Sequence, residues 1–92
     1  MTNRRKKLPA TPPASQPPNE NTAQSVIVRT LINNPISGRS KDEVLQKLLA
    51  DIRLIEPENL PELAVARSAV NILEANGIVV FEGQANVTLK LT

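Results

Sequence analysis

The stretch of residues 60–92 changes its hydrophobic period at one glycine, and this change limits the fold more than any other feature of the sequence. Before Gly77, apolar residues recur every three or four positions, the spacing of one buried helix stripe: Leu63, Ala66, Val70 and Leu73. After Gly77, residues 87–92 alternate between apolar and polar side chains, as in a strand with one buried face. Glycine directly after Asn76 suits the left-handed conformation that ends many helices. The stretch predicts a helix, a glycine stop and a β-hairpin, with strands at 78–81 and 87–92 joined by residues 82–86.

Composition narrows the class of protein. The 92 residues suffice for one domain, and because Phe81 is the only aromatic residue, we expect an aliphatic core. A core this small gives modest stability, which favours a homodimer. The chain has no cysteine and no histidine, so disulfides, thiolate chemistry and the commonest general base are excluded. No run is long enough to span a bilayer and no apolar stretch follows the basic start, so we expect a cytoplasmic protein without a membrane partner.

Residues 1–20 are predicted to be a disordered, basic, proline-rich arm. Five of the eight prolines lie between residues 9 and 18, among small and polar side chains that bury little apolar surface. Four basic residues against Glu20 give the arm a net charge of +3, whereas seven basic and eight acidic residues give residues 21–92 a net charge of −1. The basic residues are Arg4, Arg5, Lys6 and Lys7. Two interpretations stay open, a solubilising leader and an arm that contacts phosphates.

Two amphipathic helices are predicted between the arm and residue 60. The first covers residues 22–33, with Asn21 as its cap and Gln24 reaching back. Its apolar arc is wide, because Val28 and Ile32 lie well round from the main stripe, which indicates either deep burial or a surface that packs on a partner. Residue 36 is extended, and Ser40 then opens a capping box for a second helix that ends near residue 54.

The connection over residues 56–61 is longer than the turn of a minimal helix-turn-helix. Pro61 is predicted as the first residue of the third helix, a position at which proline is favoured. In a second register, residues 58–63 form a short middle helix and residues 65–76 form the last helix. Both registers keep the last helix and the hairpin.

The order of helix, glycine, apolar strand, short loop and alternating strand resembles the end of a winged-helix domain. Residues 73–79, LEANGIV, are similar to the junction at which the recognition helix of many small transcription regulators passes into its wing. The resemblance covers about the last three quarters of the chain. It implies an α+β, winged helix-turn-helix domain over residues 21–92, with three helices followed by a C-terminal β-hairpin wing. In winged helices a small strand lies near Ile36 and pairs with the wing.

The resemblance implies a regulatory protein that binds double-stranded DNA, with the third helix in the major groove. On that helix, Arg67 is suited to guanine, Asn71 to adenine, and Ser68 to a phosphate or base edge. Further contacts are expected from the start of the second helix, the wing loop and the arm: Arg39, Lys41, Gln84, Asn86, Arg4, Arg5, Lys6 and Lys7. The third helix has one basic residue between Glu62 and Glu74, so a dimer or the arm is needed for useful affinity.

Besides DNA binding, the sequence bears on three other functions. A winged-helix protein-interaction module is favoured by the near-neutral domain, the wide arc of the first helix, and Ala64 and Ala75 on the outer face of the third. RNA or ribosome association through the same fold is a further alternative. An enzyme is not expected, since the one carboxylate cluster, Glu56, Glu58 and Glu62 in a proline-bounded turn, is typical of solvated charges. We also predict no cofactor and no metal.

Overall fold

The computed structural model describes residues 18–92. Residues 1–17 of the predicted arm, which include its four basic residues, lie outside the described residues, whereas Asn19 and Glu20 at its end are the cap and first residue of α1. Three α-helices and three strands follow one another as α1 (Glu20–Asn33), β1 (Ile36–Gly38), α2 (Lys41–Ile55), α3 (Leu63–Ala75), β2 (Val79–Glu82) and β3 (Val87–Leu91). A 3₁₀ turn at Pro57–Asn59 lies between α2 and α3. The predicted fold class is therefore confirmed: an α+β arrangement of three helices followed by a C-terminal hairpin.

The three strands form one antiparallel sheet in the order β1-β3-β2. In the hairpin, Val79 is opposite Leu91 and Phe81 is opposite Leu89. Leu89 is also opposite Ile36 of β1, so β3 is the central strand. The predicted short strand at residue 36 does pair with the hairpin.

An aliphatic core lies between the helices and the sheet. α1 packs against both α2 and α3, and all three helices contact the sheet. The largest fully buried side chains come from every layer: Ile27, Leu48, Ile52, Leu73 and Leu89. Phe81 is only partly buried against this cluster, which confirms that the core is aliphatic. In the part of the chain that the structure describes, no helix has the length and apolar character needed to cross a membrane.

The start of α2 follows its sequence signal. The Ser40 hydroxyl accepts a hydrogen bond from the Glu43 amide at 3.2 Å. The Glu43 carboxylate accepts one from the Arg39 amide at 2.8 Å, one residue before the usual partner in a capping box. This backbone hydrogen bond is the main reason that the pKa of Glu43 is lowered.

The predicted start of α1 is wrong by two residues. Asn19, not Asn21, is the cap, and its side chain accepts a hydrogen bond from the Thr22 amide at 2.9 Å. The earlier cap lengthens the helix and places Glu20 in its first turn, where the positive end of the helix dipole favours a carboxylate.

Both predicted starts of α3 are also wrong. The helix begins at Leu63, and residues 58–63 form no helix beyond the end of the 3₁₀ turn. Pro61 is buried before the helix, and Leu60 is extended, the conformation that a following proline favours. Leu63, expected in the core stripe, is 37% exposed because it is the first residue of the helix.

Gly77 ends α3 as predicted. Its φ is +73°, in the left-handed region. The Ile78 amide donates to the Leu73 carbonyl at 2.9 Å and the Gly77 amide to the Glu74 carbonyl at 3.0 Å, the two bonds of a Schellman motif. β2 is shifted by one residue from the predicted strand, to Val79–Glu82. This junction directs the chain from α3 straight into the hairpin.

Candidate nucleic-acid interface

An open groove of about 180 Å³ lies between the first turn of α2, the outer face of α3 and strand β2. Seven residues line it: Lys41, Asp42, Leu45, Arg67, Val70, Asn71 and Phe81. Leu45 and Val70 belong to the buried core, so the groove has an apolar floor and a polar rim. It brings together three of the predicted DNA contacts, Arg67, Asn71 and Lys41.

Arg67 extends from the middle of α3 and is paired with a carboxylate. Its Nη2 atom donates a hydrogen bond to Oδ1 of Asp42 at 2.9 Å. The side chains are 48% and 71% exposed, so water screens the pair and it adds little to stability. Guanidinium has five N–H donors, and one bond leaves the others able to bind a ligand. Arg67 is therefore available at the groove, but with a negative charge beside it.

Asn71 and Ser68 share the α3 face with Arg67. Asn71 lies one helical turn after Arg67, is exposed and lines the groove. Ser68 is half-buried and is not part of the groove lining. Ala64, one turn before Arg67, is exposed and has a short side chain, so nothing projects far from the N-terminal part of this face. The face has the short polar character expected from the sequence.

Lys41 connects the start of α2 to the hairpin. Its Nζ lies 4.7 Å from the centre of the Phe81 ring, within the range of a cation–π interaction. Lys41 remains exposed, as does Arg39 two residues earlier. Lys41 lines the groove, whereas Arg39 lies outside its lining.

The hairpin loop supplies amides and no cation. Gln84 and Asn86 are exposed between β2 and β3 and lie outside the groove. Lys90, the one basic residue of the hairpin sequence, pairs with Glu82 at 2.8 Å. Contacts from the loop would therefore be hydrogen bonds without charge.

The charge on the described part of the chain is not strongly positive. Residues 18–92 hold seven basic and nine acidic side chains, a net charge of −2. Within those residues, four of the seven basic side chains are in ion pairs: Arg29, Lys47, Arg67 and Lys90. The sequence shows how many basic side chains there are but not which carboxylates pair with them. Lys47 pairs within α2, and the other three pair with a carboxylate outside their own element.

One carboxylate of the α2–α3 connection, that of Glu56, has a structural role. Glu56 accepts hydrogen bonds from Arg29 Nε at 2.8 Å, Arg29 Nη2 at 2.9 Å and Asn59 Nδ2 at 2.9 Å. The bonds from Arg29 and then Asn59 lower the pKa of Glu56 to about 2. They fasten the connection to α1. In residues 18–92, no group of three His, Cys, Asp or Glu side chains is placed to hold a metal ion.

Large apolar side chains are exposed in the last turns of α1 and α2. Ile32 is 65% exposed, Leu54 82% and Ile55 53%. Ile32 belongs to the wide arc of α1, and its exposure excludes the deep-burial interpretation for that residue. Leu54 and Ile55 are neighbours in the chain, and exposed large apolar side chains are more common at contacts with another protein than on a free surface.

Comparison of the chain with protein-family models, with curated proteins and with solved structures finds no match. The fold and the groove therefore define the class of this molecule by themselves: a small α+β domain with three helices, a hairpin, and a groove with an apolar floor and a polar rim along the third helix.

Proposed function

We propose that this protein is a winged-helix DNA-binding protein with a regulatory role, and that the outer face of α3 enters the major groove of duplex DNA. The observation that carries the proposal is the placement of Arg67, Asn71 and Lys41 around one groove on α3. The sheet order β1-β3-β2, with a short strand before α2 paired to the hairpin, is what the winged-helix resemblance implies.

The dimensions and chemistry of α3 suit the major groove. A helix of 13 residues is about 20 Å long, and the major groove is wide enough to admit an α-helix. Arg67 can donate two hydrogen bonds to O6 and N7 of guanine, and Asn71 can pair with N6 and N7 of adenine. Ala64 and Ser68 are short and permit close approach. The helix would therefore read bases with two side chains spaced by one turn.

Phosphate contacts come from outside α3 in this proposal. Lys41 and Arg39 flank Ser40 at the start of α2, and Gln84 and Asn86 offer amides from the hairpin loop. The described domain has a net charge of −2. Since most affinity for DNA comes from phosphate neutralisation, one copy of the domain binds weakly, and a homodimer or the basic arm supplies the remainder.

The first experiment measures the affinity of the full chain for duplex DNA over a range of salt concentrations. Arg67→Ala is compared with Arg53→Ala, which removes the same charge from the last turn of α2, outside the groove. For a duplex selected by the protein, Arg67→Ala should cost about 1–3 kcal/mol and relax the base preference at one position. Equal losses in the two variants would remove the recognition-helix assignment.

The contribution of the arm needs a separate variant. Because the cap of α1 is Asn19, truncation at residue 21 would damage the helix, so the four basic residues of the arm are changed to glutamine in the full chain. We expect this variant to show a shallower salt dependence than the unaltered protein, but not a flat one. If all salt dependence disappears with the arm charges, the folded domain does not contact phosphates.

The second candidate function is a winged-helix protein-interaction module. The exposed Ile32, Leu54 and Ile55 favour it, as do the paired cations. Here the double variant Leu54→Ser, Ile55→Ser should abolish self-association or partner binding in sedimentation experiments, while Arg67→Ala has no effect on either. Duplex RNA is compared in the same DNA assay, since its narrow major groove would exclude α3.

A further inference from the structure

We infer that Asp42 is an electrostatic gate on Arg67 that weakens the binding of α3 to duplex DNA of arbitrary sequence; this inference rests on the proposed DNA-binding function. Asp42 belongs to the first turn of α2 and Arg67 to the middle of α3, and their side chains meet at the rim of the groove. The gate would make this domain selective for sites at which Arg67 gains two good acceptors.

The pair is placed to control recognition and not to hold the fold. The Arg67 Nη2 to Asp42 Oδ1 distance is 2.9 Å, and both side chains are largely in solvent at 48% and 71% exposure. Exposed pairs of this kind contribute little to stability. Within the described residues, Arg67 is the one cation at ion-pair distance from Asp42. The neighbouring Lys41 is directed over the Phe81 ring.

A duplex that approaches α3 meets both charges. A phosphate can bind the remaining N–H donors of Arg67, but Asp42 already neutralises part of the guanidinium charge, so the contact gains little. The phosphate also brings its negative charge close to Asp42, and this repulsion grows as water leaves the interface. Random phosphate contacts by Arg67 are therefore disfavoured.

A guanine edge competes better than a phosphate does. Its O6 and N7 atoms match the fork of the guanidinium, and the bidentate contact discriminates against a wrong base by about 1–3 kcal/mol. Guanine carries no net charge, so Asp42 repels its acceptor edge much less than it repels a phosphate. The same carboxylate that weakens random binding therefore leaves the specific contact largely intact, which raises the ratio of specific to non-specific affinity.

The test is a double-mutant cycle in the full-length protein. Asp42→Asn, Arg67→Ala and the double variant are titrated against mixed-sequence duplex DNA by fluorescence anisotropy at several salt concentrations. Asp42→Asn should tighten binding roughly twofold to fivefold, the range of an exposed ion pair. In the Arg67→Ala background the same change should give less than half of that gain.

Two control variants separate the gate from general charge effects. Asp51→Asn makes the same chemical change on the same helix, outside the groove, and should leave the affinity nearly unchanged. Asp42→Glu keeps the charge and should bind like the unaltered protein. Asp42 lies in the first turn of α2, where a carboxylate favours the helix, so thermal unfolding is measured for each variant.

The outcomes distinguish the gate from the function on which it rests. Equal gains from Asp42→Asn with and without Arg67 would show a general charge effect and overturn the gate. A weaker complex in Asp42→Asn would show that Asp42 orients Arg67, which also overturns it. If Arg67→Ala weakens binding while Asp42→Asn has no effect, DNA binding by α3 stands and the gate alone is refuted. If Arg67→Ala changes the affinity neither for mixed-sequence DNA nor for the duplex selected by the protein, both proposals fail.

Discussion

Two glycines on either side of β2 provide a matched test of the backbone that carries the hairpin. Gly77 has φ +73°, and a Cβ added there would meet no atom within 4 Å. Gly77→Ala should therefore lower the free energy of unfolding only through the strain of the left-handed conformation. That conformation costs an L-residue about 1–2 kcal/mol. For a domain of this size, each kcal/mol lowers Tm by about 4–8 °C.

Gly83→Ala should be the more damaging change. Gly83 has φ +104°, beyond the left-handed region that other residues can reach, and a Cβ there would collide with the carbonyl oxygen of Asn86. The conformation alone costs about 1–3 kcal/mol, and the collision adds to it because the obstacle is backbone. The loop can relieve the collision only by opening, which breaks the pairing of Glu82 with Thr88.

Chemical denaturation and amide hydrogen exchange together measure this prediction. The denaturation midpoint should fall further for Gly83→Ala than for Gly77→Ala, and amide protection should be lost first near Thr88. Gln84→Ala in the same loop is the control, since no residue other than glycine has a positive φ in the described chain, and it should change stability by less than about 0.5 kcal/mol. A Gly83→Ala protein as stable as Gly77→Ala, with hairpin protection intact, would refute the loop geometry.

Three further predictions concern the stability of the folded domain. Hydrogen bonds from Arg29 and then Asn59 lower the pKa of Glu56 from 4.5 to about 2. The stabilisation that they give is therefore present above pH 4.5 and is lost as the pH falls towards 2. The difference in unfolding free energy between the unaltered protein and Glu56→Gln should shrink over that range, and a difference independent of pH would contradict the assignment. Ser40→Ala should cost about 0.5–2 kcal/mol through loss of the α2 cap, seen as a lower denaturation midpoint at constant m-value. Leu48 is fully buried, so Leu48→Ala should lower the free energy of unfolding by about 2–5 kcal/mol. Leu54 is 82% exposed, so Leu54→Ala should lower it by less than about 0.5 kcal/mol. Equal losses of unfolding free energy would contradict the position of Leu48 in the core.

The parts of the fold that the sequence predicts well depend on local signals. Gly77 ends a helix because of its own backbone freedom, and the alternation after it needs only the two-residue period of a strand. Ser40 and Glu43 likewise interact within one turn. These features require no knowledge of the remainder of the chain, and the structure agrees with each of them to within a residue.

The errors arise where two local signals compete or where packing decides. Asn19 and Asn21 are both residues that can cap a helix. Gln24 favours Asn21, because it lies where a capping-box partner would, but the structure uses Asn19 and the helix is two residues longer. Pro61 suits a helix start by its φ angle, yet it is buried before the helix, which begins two residues later at Leu63.

The predicted site was identified by residue type, but its electrostatics could not be predicted. Arg67 and Asn71 follow from the helical period of α3. The partner of Arg67, Asp42, is 25 residues away, and the Lys41–Phe81 contact joins a helix start to a strand. The first depends on the position of α2 relative to α3 and the second on the position of α2 relative to β2, and no local pattern encodes either. The DNA-contact roles of these residues stay predictions.

The central position of β3 sets the order in which this domain can assemble during synthesis. β1 and β2 contact each other only through β3, which the ribosome makes last of the three. Until residue 91 has emerged, Ile36 and Phe81 have no strand to pair with, and the core lacks Leu89. Local helices can form earlier, but the pairing of β1 with β3 closes a loop of about fifty residues, a slow step. A nascent chain stalled within the hairpin would therefore leave the sheet-facing sides of the helices uncovered, and the domain would close only after β3 had emerged.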